Sequence, residues 1–326
     1  MQRELMERIR ALMDEGVGTR VLGWRKGESF YDTEPAILAA DQLDELVCDS
    51  FCGPNLSKYL IQEMPKLAEG EKVIALIKPC DSYSFNQLCT EHRIDRDRVY
   101  VIGVGCKGKV DIEKIRARGI AGITGIDEDG DTLTVHTLYG DETVNRREVL
   151  LDKCLCCKGK EHRVFDEQFG ESEETSEGAD RFELVRKLEA MTDEERFAFW
   201  RNELSKCIRC NACRNVCPAC SCVKCVFDNP NTGVQNKAAA DDFEENLFHI
   251  IRAFHVAGRC TDCGECSRVC PQGIPLHLLN RKFISDIDSL YGDYQAGEAI
   301  GQRHPLIDYT QGDCEPSIVR ERGNRA

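Results

Sequence analysis

The second half of this chain carries one metal-binding pattern twice: CIRCNACRNVCP from Cys207 to Pro218, and CTDCGECSRVCP from Cys260 to Pro271. Each is a C-x2-C-x2-C-x3-C-P run. Its tight spacing wraps three thiolates around one iron–sulfur cube, while the fourth cysteine, beside the proline, serves the other cube. The expected ligand sets are therefore crossed. Cys207, Cys210 and Cys213 join Cys270 around the first 4Fe-4S cluster, and Cys260, Cys263 and Cys266 join Cys217 around the second. Structural zinc also takes four thiolates, but two C-x2-C pairs suffice for it, so a fourfold run made twice points away from zinc. An electron carrier is the leading reading. A small module built around so many thiolates is expected to fold only when they are ligated.

A length of 326 residues suits about two domains at ~150 residues each. Twenty cysteines exceed what packing alone asks for. A secreted disulfide scaffold is the rival, but the chain is long and opens MQRELMERIRALM, an amphipathic helix rather than a signal peptide. Cysteine therefore reads as metal chemistry in a reducing, cytoplasmic setting. No apolar run approaches the ~20 residues that span a bilayer, so direct membrane insertion is not expected. The net charge of −14 offers nothing to offset phosphate repulsion, which argues against nucleic acid. An acidic carrier instead suits a basic patch on a redox partner.

Residues 71–119 alternate short β-branched runs (EKVIALIKP, DRVYVIGVG) with helix-like segments, the pattern of a parallel sheet buried on both faces. GIDEDGDTLTVHTL reads as an acidic turn and an alternating strand at a sheet edge. EQFGESEETSEGAD, 167–180, has too little apolar content to bury and reads as a linker. MTDEERFAFWRNEL then carries a capping box at Thr192 and Glu195 and an apolar stripe of Phe197, Trp200 and Leu204, a helix delivering the chain into Cys207. Between the two runs Leu247, Ile250, Ile251 and Phe254 fall at helical spacing. His249 and His255 read as helix-face or core residues. The expected fold is an α/β N-terminal domain with a parallel or mixed sheet, 1–165, followed by an acidic linker and lead-in helix, 166–205. A helical dicluster ferredoxin-like domain, 206–280, and a C-terminal tail, 281–326, complete it.

The first half has its own chemistry. KPCDS places Cys80 after a strand and at a helix start, where amide groups are expected to lower its thiol pKa. The next strand ends in GVGCKG, putting Cys106 at the equivalent position, and adjacent parallel strands bring such ends together. With CLCCKGKEH this gives a candidate third 4Fe-4S cluster on Cys80, Cys106, Cys154 and Cys157, with Cys52 or Cys156 as substitutes. Cys48, Cys89 and Cys314 read as structural. A competing signal lies on the same residues: Gly103, Gly105 and Gly108 form G-x-G-x-x-G after a strand, with Asp127 and Glu128 about twenty residues on, the pattern of a dinucleotide-binding turn. FAD is thus the competing cofactor of the first domain. Cys220, Cys222 and Cys225 follow Pro218, either as sulfur-rich shielding or as ligands reaching the first domain's metal.

KPCD after a strand, the downstream GVGC, the clump CLCC from Cys154 and CIRCNACRNVCPACSC together resemble the iron–sulfur electron-transfer subunits of two kinds of complex, the beta subunit of cytoplasmic sulfhydrogenases and its counterpart in anaerobic sulfite reductase. The chain is similar, more weakly, to the beta subunit of deazaflavin-reducing hydrogenases, which carries flavin beside its cluster. The resemblance implies a relay subunit of an anaerobic cytoplasmic complex, passing electrons between a flavin-containing subunit and a catalytic subunit of hydrogenase, formate dehydrogenase or reductase type. The helical spacer ending FHVAGRCTDCGEC departs from that group and looks more like the modules of disulfide-reducing and formate-oxidising complexes. The alternative is a flavin-binding subunit that itself reduces a soluble acceptor.

Overall fold

The computed structural model describes residues 2–159, 161–173, 178–229, 231 and 242–306. Helix α1 (Gln2–Asp14) buries Leu5, Ile9 and Leu12, one side of the helix at i, i+4 and i+7. It packs on a mixed sheet ordered β2 (Thr33–Leu38), β1 (Arg20–Lys26), β4 (Val73–Ile77), β5 (Val99–Val104) and β9 (Glu167–Phe169), with the short β3 (Leu46–Val47) also pairing β1. From β1 to β9 the pairs are parallel, whereas β2 and β3 run antiparallel to β1. Every residue of β4 is buried, as a central parallel strand covered on both faces requires.

The β4–β5 register runs from Val73 opposite Val99 to Ile77 opposite Gly103. Both strands therefore end side by side. After the short helix α2 (Leu60–Glu63) and β4, α3 (Pro79–Thr90) begins with proline in its first turn, where no amide donor is needed. After β5 the chain passes through 105–110 into α4 (Ile112–Arg116).

Two expectations are corrected here. The acidic-turn strand is not at an edge: β7 (Thr132–Thr137) is the centre of a separate antiparallel sheet between β6 (Ile123–Asp129) and β8 (Gly140–Asn145), with its own small core around Leu133 and Val135. The segment expected as a linker from 167 opens instead as β9, which completes the main sheet beside β5.

The second half is helical. After α5 (Asp152–Leu155), α6 (Glu183–Glu189) leads to α7 (Asp193–Ser205), whose capping box joins Thr192 and Glu195 in both directions. Short helices α8 (Ala212–Val216) and α10 (Glu265–Arg268) lie within the two cysteine runs. Between them lies α9 (Asp242–His255), and α11 (His277–Tyr291) closes the domain, so the division expected at residue 280 falls inside a helix. The apolar stripe expected of α9 is its more open side: Leu247, Ile250 and Phe254 are exposed, while Glu245, Phe248, His249, Arg252 and Ala253 are buried. Among the described residues no helix is long and apolar enough to cross a membrane. Cys314 lies outside the described residues.

Candidate metal centres

The two cysteine runs repeat in backbone as well as in sequence. Arg209 and Asn211 in the first run and Asp262 and Gly264 in the second, at matching positions, all take positive φ, between 52° and 69°. Only Gly264 is free of the side-chain penalty of that region, so three non-glycine residues hold it because the surroundings demand it. The result is a turn whose amide groups face the first thiol: Arg209 N–H donates to Cys207 Sγ at 3.3 Å, and the Asp262 amide does the same for Cys260. Successive amides aimed inward make an anion-binding concavity of the kind iron–sulfur sites use. A four-residue or five-residue helix then carries the third cysteine of each run, Cys213 and Cys266, back toward the turn.

Cys207, Cys210, Cys213 and Cys270 line one cavity, together with Phe248, His249 and Ile274. Cys217 lies within electrostatic reach of Cys260, Cys263 and Cys266. The structure thus brings each crossed set together. Burial pushes the metal-free thiols up, Cys207 and Cys260 to about 12 and Cys266 to about 11. Metal loading must therefore displace protons. The donor set fits 4Fe-4S clusters: four thiols per set and an amide turn against the first thiol of each run.

Helix α9 supplies the surroundings that sequence reasoning assigned to core packing. His249 Nε2 sits 3.3 Å from Cys207 Sγ, and Glu245 completes a tight trio with them. Burial, with Arg252 and Arg209 nearby, lowers the His249 imidazole to about 3, so it is neutral and able to hydrogen-bond a thiolate. Asn280 Nδ2 lies 3.8 Å from Cys266 Sγ. Residues that hydrogen-bond cluster sulfur tune its potential. The spacing of Glu245, His249 and Arg252 along one helix side was the signal available in the sequence.

In the first half Cys80 is the second residue of α3 and Cys106 follows β5, so the paired strand ends place them together. Cys80 and Cys157 share a hydrogen bond, and Cys154 lies within electrostatic reach of both Cys106 and Cys80. The candidate third set therefore converges. Lys109 N–H donates to Cys154 Sγ at 3.4 Å and Gly159 N–H to Cys157 Sγ at 3.3 Å. The expected depression of the Cys80 thiol is corrected: the hydrogen bond to Cys157 and burial raise it well above its ordinary value. The substitutes serve elsewhere. Cys52 is fully buried and bonds locally to Val47 O, and Cys156 Sγ accepts from Arg281 Nη1 at 3.3 Å. Cys48 and Cys89 are buried. Lys78 and Asp81 of the same KPCDS segment form a buried ion pair at 2.7 Å, and Lys78 also donates to Pro54 O, which fixes the loop under the site.

The glycine turn is filled by the chain itself. A Cβ on Gly103 would lie 3.0 Å from the His162 ring, and one on Gly105 would strike Glu171 O at 2.4 Å. Gly108 has φ +81°. The helix that follows, α4, has five residues, and Asp127 and Glu128 bond to His136 and to Ser50 and Arg146. Gly105 thus serves close approach of the protein's own backbone, Gly103 leaves room for the His162 ring, and Gly108 supplies the left-handed turn.

The two halves dock around the third set. Lys153, next to Cys154, forms a buried ion pair with Glu265, which Arg268 also grips at 2.8 Å. Ser84 Oγ and Thr261 Oγ1 are 2.8 Å apart, and Lys158 donates to Thr261 O. The Lys158 ammonium lies within electrostatic reach of both Cys157 and Cys260, so the third set adjoins the second. Cys220, Cys222 and Cys225 line a different cavity, away from Cys80 and its partners.

Comparison with known proteins agrees with this chemistry. Residues 203–274 match the 4Fe-4S dicluster domain family. The chain is 23% identical to the F420-dependent formate dehydrogenase subunit beta of Methanocaldococcus jannaschii over 86% of its own length and 88% of that protein. It is 25% identical to the F420-dependent formate dehydrogenase 1 subunit beta of Methanococcus maripaludis, over 68% and 73% respectively. The F420-reducing hydrogenase complex from Methanosarcina barkeri overlaps at a TM-score of 0.37 and 13% identity, covering 47% of this chain and 58% of that one, too low to establish a shared fold. The likeness thus lies with deazaflavin-linked iron–sulfur subunits, and the expected resemblance to sulfhydrogenase and sulfite reductase subunits gives way. The chain is an iron–sulfur protein of the electron-transport, oxidoreductase class.

Proposed function

We propose that this chain is the iron–sulfur electron-transfer subunit of an anaerobic, deazaflavin-linked formate dehydrogenase or hydrogenase type of complex. It relays electrons between a flavin-containing subunit and a catalytic subunit in the cytoplasm. The observation that carries this reading is the adjacency of three cysteine sets: Cys207, Cys210, Cys213 and Cys270; Cys260, Cys263, Cys266 and Cys217; and Cys80, Cys106, Cys154 and Cys157. The first two stand on matched amide turns and the third is docked against the second through Lys158. Clusters bound there supply one-electron redox chemistry. The protein's own residues position them, exclude water and set their potentials through His249, Asn280 and the buried cations. Because the 103–108 turn is filled by the 162–171 segment, flavin in this reading belongs to a partner subunit rather than to this chain.

The test is iron and acid-labile sulfide quantitation with low-temperature electron paramagnetic resonance on anaerobically purified chain. The three sets account for about twelve irons at four per cube, so at least that many, with signals from at least three cubes, are expected. About eight would remove the third set. Colourless protein, or a different metal in the twin runs, would overturn the proposal. Stoichiometric releasable flavin would favour the reading in which this chain itself reduces a soluble acceptor.

A further inference from the structure

Among the cysteines outside those sets, three share a cavity. Cys220, Cys222 and Cys225 form C-x-C-x2-C in an irregular stretch immediately after Cys217, and all three line a cavity of about 240 Å³. The same cavity is lined by four cations. Arg214 and Arg259 are engaged by Asp228 and Glu91. The other two lack a carboxylate: Lys58 donates to the carbonyls of Arg214 and Cys220, both at 3.1 Å, and Arg252, 1% exposed, has no hydrogen-bond partner for any guanidinium nitrogen among the described residues. Arg252 lies within electrostatic reach of Cys266, Cys213 and Cys217 of the first two sets as well as of Cys220, so its counter-charge is shared with those sets. The Lys58 ammonium faces Cys220 and Cys225 besides Cys217 and stands in this cavity without a carboxylate, a cation that bound thiolates and sulfides would balance.

We infer that Cys220, Cys222 and Cys225 hold a further iron–sulfur cluster in this cavity, with Lys58 as the cation facing it. The inference extends the reading of the chain as a multi-cluster relay. A single ion does not suit the arrangement, because among the described residues the three sulfurs do not close to within 4.8 Å of one another, whereas a cluster needs its thiolates spread around several irons. Three thiolates leave one iron for a non-cysteine ligand, and His255 lines the same cavity. Cys222 is exposed, so this cluster lies at the surface, where a partner's carrier can reach it.

The experiment compares the full chain, anaerobically reconstituted with iron and sulfide, with its Cys222→Ser/Cys225→Ser and Cys80→Ser/Cys157→Ser double variants. Cys217 and Cys220 are left intact so that the second set keeps its ligand. Relative to the unaltered chain, the first variant should lose about four irons and four sulfides, one cube's content. Its circular dichroism and the paramagnetic signals of the remaining clusters should be preserved. Iron content equal to that of the unaltered chain would overturn the inference. So would a loss of eight or more irons together with helical signal, which would make these cysteines supports of the second set. The relay reading fails separately, if the unaltered chain holds fewer than about eight irons. The Cys80→Ser/Cys157→Ser variant reports on the third set alone.

Discussion

In the α/β half, one continuous apolar core runs from Leu5 and Ile9 of α1 through Trp24, Ile74 and Leu76 to Phe85 and Ile102, all at most 1% exposed. In the cysteine half, the apolar groups come in two small clusters, and cysteines are among their members: Leu204, Ile274 and Leu276 with Cys213 and Cys266, and Val256 and Ala219 with Cys217. The first region can be held by burial alone, at roughly 25 cal/mol per Å² of apolar surface. The second cannot, because its interior is thiols, Glu245, His249 and Arg252, groups that are costly to bury without partners. Ligation supplies what burial does not. The difference also explains why the halves dock through ion pairs and hydrogen bonds rather than through a shared apolar core.

Removing iron is the strongest way to break that contrast. Ligation in small metal-built domains is worth on the order of 10 kcal/mol, more than the net stability of most domains. Chelation or oxidative loss should unfold roughly residues 203–280 while β4 and β5 stay intact. Hydrogen exchange would show amide protection lost across both cysteine runs and α9 but kept in Val73–Ile77 and Val99–Val104. Retained protection in α9 after complete iron loss would show that the cysteine half folds on its own packing.

The complementary change is Leu76→Ala at the centre of the sheet. Deleting a fully buried leucine side chain leaves a cavity and costs about 2–5 kcal/mol. Urea unfolding followed by hydrogen exchange should show the α/β half weakened, with iron per folded chain unchanged. A parallel loss of more than the third set's four or so irons would mean that the two halves fold as one unit.

Between these lies the junction. Lys153→Met removes one partner of the buried Glu265, and breaking such a pair costs about 3–5 kcal/mol when nothing compensates. Arg268 still grips Glu265 at 2.8 Å, so the low end of that range is expected. The loss should appear as faster proteolysis at the 170–182 connection, with both halves still folded. Unchanged cleavage would assign docking to Ser84–Thr261 and Lys158 instead.

How much of this could be read from the sequence follows the same division. The twin runs were legible because ligand spacing is local: three cysteines within seven residues define a turn whatever surrounds it. The strand–helix–strand unit around Cys80 and Cys106 was legible because a run such as VIALI has few uses other than a covered strand. What spacing could not show was where α9 turns its faces. Leu247, Ile250 and Phe254 form a convincing core stripe, yet the helix buries Glu245, His249 and Arg252, because that face meets the cysteine sites, while Ile250 and Phe254 line an open groove with α7 and α11. Apolar periodicity reports the core only where the core is apolar. The β9 strand was hidden for a related reason: three residues at the edge of an acidic stretch gain their identity from pairing with β5.

A smaller prediction follows for His249→Ala. Losing the hydrogen bond to Cys207 Sγ should shift the midpoint potential of one cluster signal and leave the others in place, with folding intact. Redox-poised paramagnetic resonance reads this directly, and a uniform shift of all signals would instead indicate a general loosening of the domain.

The smallest effect tests whether the α/β half responds to pH independently of its cysteines. Arg8 Nε donates to both Glu167 oxygens, at 2.9 and 3.1 Å, tying α1 to β9 across the sheet. The Arg8 hydrogen bond holds the Glu167 carboxyl below its ordinary 4.5. A group whose pKa is lower in the folded state stabilises that state above its unfolded value, and the contribution is lost as pH falls through the folded one. Stability from this pair is therefore complete above about pH 4.5 and declines below it. Because both side chains are partly exposed, salt screens the pair and weakens it. In iron-stripped chain, the urea midpoint of the α/β transition should fall between pH 6 and pH 3.5. Glu167→Gln should lower the midpoint at pH 6 and flatten the slope slightly, and high salt should mimic the substitution. An identical slope in the two proteins would place the acid sensitivity of this half elsewhere, with Glu71, held down to about 2 by Thr19, the Ala68 amide and Arg20, as the next carboxylate to test.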